Sequence, residues 1–298
     1  LVLVDAVAPE RLHPLYTIYG KPLGSEAVVD ALPGYGGSRP VRVGNAAQSQ
    51  VQLDVFGPVV DLIATLVNVR GRATENDLWL TRACVDAVMA RWQEPDHGIW
   101  EIRDQPVHHV HSKVMCWLAV KRANEVLAAA GQSEPTWQEL ESQIAAEVLD
   151  KGWHQPLRAY VCAYDRRELD AAALHIGLSG LLPIGDPRLV STIEAIEAGL
   201  RDGPTVKRYT YDDGLPGAEG GMIICATWLV ECYAQAGMRN EAEELLRQVL
   251  DCAGGTGLLS EQWDPEHNRG LGNHPQAYSH AGVIQAVLAL RRLDQTAH

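Results

Sequence analysis

"EGGMIICATWLVECYAQAGMRNEAEELLRQVLDCAGG", residues 219–255, places two helices of opposite character side by side. The first part, 219–236, is apolar nearly all round a 3.6-residue repeat, the pattern of a helix buried on every side. The second, 239–250, carries a charged face and suits an outer position. Alternation of the two kinds predicts helical hairpins packed in two concentric layers.

The same rhythm runs along most of the chain. "NAAQSQVQLDVFGPVVDLIATLVNVR" (45–70) places Val51, Val55, Val59, Leu62 and Leu66 on one helical face, with a kink or break expected at Pro58. "TENDLWLTRACVDAVMARWQE" follows, with Thr74 as N-cap and a stop before Pro95. "SKVMCWLAVKRANEVLAAAG" and "TWQELESQIAAEVLDKGW" come next, with Gly131 and Gly152 as stops. Further helices are read in 169–182, 187–200 and 275–293, about nine in all. Only scraps such as "RAYVCAY" and "KRYTY" read as strand, so a parallel α/β sheet is excluded and the class is all-α. Residues 1–44 are rich in Gly and Pro and read as an irregular segment.

Composition narrows the partners. The 298 residues carry a net charge of −13, which repels a polyanion, and no basic run offsets it. No apolar run approaches the roughly 20 residues of a membrane span, and no leader is visible. Six scattered cysteines without a C-x-x-C pair, most in apolar runs, read as buried reduced thiols and favour the cytoplasm. The chain opens at Leu1 rather than Met, as expected of a processed chain or a piece of a longer one.

Three long loops, 94–111, 201–218 and 254–274, hold the unusual residues. In "QEPDHGIWEIRDQPVHHVHSK" (93–113) Trp100 stands beside Glu101, and an aromatic ring that desolvates a carboxyl group prepares it for general-acid work. The same pair is also compatible with a plug and a helix cap. "GTGLLSEQWDPEHNRGLGNHPQAYSH" (255–280) offers a second acidic and aromatic set in Glu261, Trp263 and Asp264. Two carboxyl groups with aromatic faces are what glycoside hydrolysis requires. His108, His109 and His111 could ligate a metal, but no acidic or thiol partner lies at a ligand spacing and H-E-x-x-H is absent. No metal is expected, and His111 reads instead as support for the start of a helix or as a hydrogen-bond donor into a pocket. Arg39 and Arg42 in "GGSRPVRVGN" could hold an anion or donate to sugar hydroxyls.

Taken in order, six stretches resemble glycoside hydrolase family 15, the glucoamylase, glucodextranase and bacterial trehalase family. They are "LPGYGGSRPVRVGNAAQSQVQLDVFG", "DHGIWEIR", "HSKVMCWLAVKRA", "RYTYDDGLPGAEGG", "CATWLVECYAQAG" and "LLSEQWDPEHNRGLGNHPQAYSHAGVI". The resemblance implies an (α/α)6 barrel and inverting, exo-acting hydrolysis of terminal α-glucosidic bonds, without a cofactor. It implies Glu101 as general acid and Glu261 as general base, with their carboxyl groups roughly 6.5–9.5 Å apart. Ile99 and Trp100 would line the innermost subsite, Arg39 and Arg42 one wall, and Arg208 would bind sugar. An α-glucoside or oligosaccharide is the partner implied, with neither nucleic acid nor membrane, and self-association is compatible with the sequence.

The chain also departs from the family. The N-terminal helices of the barrel, with their Arg-Asp motif, are not seen, so 1–298 reads as a single catalytic-type domain that is partial. Ile102 stands where fungal members have a second acid, and Gly37 where a tryptophan precedes "SRPVR". His109 and Val110 replace an aromatic residue followed by Thr. These departures keep two alternatives open: a non-hydrolytic homologue, either a pseudoenzyme or one recruited to other chemistry, and a carbohydrate-binding module.

Overall fold

The structure is a computed structural model that describes residues 12–211 and 220–296. Within "RYTYDDGLPGAEGG" and at the start of the stretch 219–236, residues 212–219 lie outside the described part. Two compact units divide the chain, Leu1–Ile144 and Ala145–His298. Nine α-helices occur among the described residues.

The first unit opens with a small antiparallel pair, β1 (Ala27–Val28) and β2 (Arg42–Val43). Two 3-10 turns, Ala46–Ser49 and Leu53–Val55, then lead into α1 (Phe56–Arg70). Pro58 neither kinks nor breaks α1, because it is the third helical residue, where a missing N–H costs nothing. The buried face of α1 is Phe56, Gly57, Val60, Ile63 and Val67, whereas Leu62 and Leu66 are exposed. The stripe anticipated from Val51 and Val55 is out of phase because both precede the helix, Val55 in the turn Leu53–Val55 and Val51 in the irregular residues before it.

Helix α2 (Glu75–Arg91) starts at a capping box in which Thr74 and Asp77 satisfy each other's backbone N–H. Helix α3 (Val110–Ala129) buries 14 of its 20 residues, and α1 and α2 pack against it. Gly57 is a point of close approach: a Cβ there would stand 2.8 Å from the Met115 carbonyl oxygen of α3. Gly131, with φ +69°, follows the end of α3 in the left-handed conformation that closes helices. Helix α4 (Pro135–Lys151) runs across the boundary between the units.

The second unit begins with β3 (Trp153–His154) paired to β4 (Ala159–Tyr160). The short α5 (His175–Leu178) precedes α6 (Pro187–Leu200), which Asp186 caps and Pro187 opens. Then α7 (Ile223–Gln235) buries ten of its 13 residues, while α8 (Arg239–Asp251) buries only Ala242, Leu245, Leu246 and Val249. That spacing of three, one and three is a single apolar stripe, so the contrast read at 219–255 is realised in burial. Burying each large aliphatic side chain of the stripe contributes about 1.5–3 kcal/mol. Helix α9 (Ala277–Thr296) lies against α7, closest where Gly282 meets Thr227.

Two of the three long loops contain strands that periodicity does not reveal. β5 (Arg201–Asp202), β6 (Thr205–Val206), β7 (Gly221–Met222), β8 (Gln262–Asp264) and β9 (Arg269–Leu271) form one antiparallel sheet in sequence order. Its register sets Gly221 opposite Trp263 and Met222 opposite Gln262. Glu261 is thereby held at the start of β8.

Candidate active site

In the first unit the loop around Trp100–Glu101 is closed by reciprocal backbone hydrogen bonds between Asp96 and Val107, both 2.9 Å. At its base the Asp96 carboxylate accepts from the Leu53 N–H at 3.0 Å and the Ser112 hydroxyl at 2.7 Å, so one side chain joins the turn before α1 to the first turn of α3. Inside the loop Gly98 takes φ +68°, and a Cβ there would meet the His109 ring at 2.8 Å. The Glu101 N–H donates to the Gly98 carbonyl, and Glu101 itself takes φ +56°. A left-handed conformation costs a non-glycine residue about 1–2 kcal/mol, so the surroundings must hold it.

The holding groups come from the 3-10 turn Ala46–Ser49 and its flanks. The Gln50 amide donates to the carbonyls of Glu101 and Ile102 at 3.2 and 3.1 Å. The Asn45 amide donates to Glu101 Oε2 at 3.1 Å. Glu26 ties the frame together: its carboxylate accepts from Arg42 at 3.1 Å, from Arg103 at 2.8 Å and from the Ala46 N–H at 3.3 Å. The Arg103 hydrogen bond leads the effects that hold the Glu26 carboxyl below its usual range. Arg42 is thus pinned within this frame, Arg39 is exposed, and Ile99 and Trp100 are half-buried.

Asp54 is buried close by, and its carboxyl is pushed up to about 7, chiefly by burial and then by the charges of Asp96 and Glu101. Lys113, fully buried, donates to the carbonyls of Trp92 and Glu94 at the end of α2, where a cation meets the negative end of the helix dipole. His109 packs against Gly98, and His111 is buried in the first turn of α3. Among the described residues no group of three or more His, Cys, Asp and Glu is placed to hold a metal ion.

In the second unit Glu261 is fixed at both ends. Its N–H donates to Asn273 O, and its carbonyl accepts from Ile223 N–H. Its Oε2 accepts from the Asn273 backbone and side-chain N–H groups at 2.9 and 3.0 Å, and its Oε1 from the Tyr278 hydroxyl at 3.2 Å. The hairpin that follows is locked by Asp264, which accepts from the His267 N–H at 3.1 Å and from Arg269 at 3.3 Å. The Arg208 guanidinium lies 4.9 Å from the centroid of Tyr209, which stacks on Tyr211 at 4.0 Å. Burial holds the Tyr211 hydroxyl well above its usual range.

The residues anticipated from sequence thus fall into two groups: Arg42, Ile99, Trp100 and Glu101 share the first unit's loop system, and Arg208 and Glu261 belong to the second; Arg39, also in the first unit, is exposed. Sequence reading missed Asn45, Gln50, Asp54, Asn273 and Tyr278. All five lie inside the stretches that carry the family resemblance, yet three amides, an aspartate in a 3-10 turn and a tyrosine at the start of a helix announce no chemistry until their partners are known.

The chain is 36% identical over 295 residues to a trehalase of Mycobacterium tuberculosis, covering 96% of this chain and 43% of that protein. It is 37% identical over 282 residues to a trehalase of Thermoplasma volcanium, covering 92% and 44%. It therefore spans about half the length of the curated relatives it matches. Among solved structures, a wild-type glycosidase aligns with a TM-score of 0.71 at 21% identity, covering 87% of this chain and 74% of that one. A bacterial glucoamylase complexed with acarbose aligns with a TM-score of 0.66 at 11% identity, covering 85% and 50%. These likenesses are of fold, and they agree with the all-α class of (α/α)6 type. The family model described as glycosyl hydrolases family 15 matches residues 5–288, and the chain belongs to that family.

Proposed function

We propose that the chain is the catalytic part of an inverting, exo-acting α-glucosidase of the trehalase type, residues 1–298 being part of one (α/α)6 catalytic-type domain. The observation that carries the reading is the unequal setting of two glutamates. Glu261 receives three donors on its two oxygens, a set that suits an acceptor-only, ionised carboxylate. Glu101 receives one side-chain donor, on Oε2 alone, and so keeps an oxygen for a proton.

The chemistry follows from that asymmetry. Glu101 gives its proton to the glycosidic oxygen as the bond from that oxygen to the anomeric carbon breaks, and the bonding pair stays on the leaving oxygen. Glu261 takes a proton from a water whose oxygen forms the new bond to the anomeric carbon on the opposite face. Arg208, Arg39, Arg42, Ile99 and Trp100 bind and orient the sugar. No cofactor enters the reaction. Similarity to two trehalases favours trehalose over starch as substrate. Six free, buried cysteines fit a reducing compartment such as the cytoplasm.

Proton NMR during the first minutes of trehalose hydrolysis tests the reading. Inversion releases one α- and one β-glucose per trehalose before mutarotation. Release of α-glucose alone would exclude inversion. No glucose from trehalose, maltose, isomaltose or maltodextrin would favour a non-hydrolytic homologue.

A further inference from the structure

Building on the assignment of Glu101 as general acid, we propose that Asn45 is a positioning residue that reserves Oε2 of Glu101 as an acceptor and so assigns the acidic proton to Oε1. The geometry fixes the orientation of the Asn45 amide. Its Oδ1 accepts from the Ala47 N–H at 2.9 Å as the N-cap of the 3-10 turn Ala46–Ser49, which leaves Nδ2 as the end that donates to Glu101. An amide bound at both ends cannot flip without losing a hydrogen bond.

The turn is itself anchored, since Glu26 accepts from the Ala46 N–H while gripping Arg103, two residues beyond Glu101. Asn45 and Glu101 are thus held from both sides by one carboxylate, while Gln50 fixes the backbone of Glu101. An N–H on Oε2 disfavours a proton there, because the hydroxyl oxygen of a carboxylic acid is a weaker acceptor than its carbonyl oxygen. Oε1 accepts no hydrogen bond from a described residue in this structure and is the oxygen left to carry the proton. When the proton leaves for the glycosidic oxygen, the carboxylate charge forms against a donor already in place, with no rearrangement required.

Asn45→Asp separates the donor from the cap. Aspartate is as good an N-cap as asparagine and keeps the Ala47 contact, but it cannot donate to Glu101. The other charged groups around Glu101, namely Asp54, Asp96, Glu26, Arg42, Arg103 and Lys113, are common to both proteins, so a difference between them reports on residue 45. In the full chain Asn45→Asp is expected to lower kcat on trehalose at least about tenfold, with KM within about twofold. The alkaline limb of its pH profile should move up by about one unit, because a like charge and a lost donor both disfavour the ionised acid. Asn45→Ala should move the limb the same way by less, with a lower melting temperature from the lost cap.

A carbon-13 titration of the residue-101 carboxyl, which needs no turnover, should show the same upward displacement in Asn45→Asp. Native kcat and an unmoved limb in Asn45→Asp would overturn the proposal, as would an unmoved carbon-13 midpoint. A displaced midpoint in a protein that hydrolyses none of the four sugars would instead overturn the acid assignment while the Asn45 coupling stood.

Discussion

Gly272 has no side chain where Glu261 has its carboxylate: a Cβ on Gly272 would stand 2.7 Å from Glu261 Oε2 and 2.9 Å from its Cβ. The same glycine has φ +69°, so both space and backbone exclude a substituent. Gly272→Ala should therefore displace the Glu261 side chain from Asn273 and Tyr278 and cost about 1–3 kcal/mol of stability. Because the proposed base would then be misaligned toward its water, kcat should fall about 100-fold with a smaller change in KM. Thermal melting and steady-state kinetics on trehalose check both. A variant with native kcat would show that the Asn273 contacts do not set the base.

Removing either proposed proton-transfer group should be far more damaging to rate than to fold. Glu101→Gln and Glu261→Gln keep shape and lose proton transfer, and each should lower kcat by about 10²–10⁴. Their melting temperatures should stay within a few degrees of native, since both side chains are only half-buried. Activity of both variants near the native level would remove the two-carboxylate mechanism.

Glu101 and Glu261 were visible in the sequence because each sits beside a tryptophan or one residue from it, in a loop too long to be a mere connection. The longer helices were visible for a different reason: 13 to 20 residues at a 3.6-residue period leave a readable stripe, as in α8. Neither signal exists for the sheet, whose strands of two or three residues are shorter than one alternation test requires. Nor does it exist for Asn45 and Gln50, which lie 56 and 51 residues before Glu101 and reach it only through the path of the chain. The stripe through Val51 and Val55 does not give the phase of α1, because both residues precede the helix, Val55 in the 3-10 turn Leu53–Val55.

Asp54 should make stability depend on pH. Its carboxyl is raised from an ordinary 3.8 to about 7, first by burial and next by Asp96. Between those values the unfolded chain has lost the proton that the folded chain keeps. Folding stability from this group therefore falls as pH rises from about 4 to about 7, and the loss is complete above 7. Asp54→Asn removes the ionisation while keeping the shape, so it should be more stable than native by about 2–4 kcal/mol at pH 8 and no more stable at pH 4. Its Oδ1 is buried without a hydrogen-bond partner, so no existing bond to that oxygen is lost. Melting curves at the two pH values decide it: parallel native and variant curves would mean that Asp54 does not titrate in this range.

Gly57 offers a test of the first unit's packing that is independent of chemistry. The α1 and α3 backbones approach so closely that a Cβ at residue 57 would lie 2.8 Å from Met115 O and 2.9 Å from Met115 Cβ. Two of the three nearest atoms belong to the α3 backbone, which cannot swing aside as a flexible side chain would. In an open helix alanine would gain about 1 kcal/mol over glycine from propensity. Here overpacking costs about 1–3 kcal/mol and opposes that gain, and the helices can separate only by loosening contacts along α1. Gly57→Ala should therefore be neutral to destabilising by about 2 kcal/mol in denaturant unfolding, while Gly71→Ala, where nothing stands within 4 Å, reports backbone strain alone. A Gly57→Ala variant more stable than native would show that α1 and α3 have room to part.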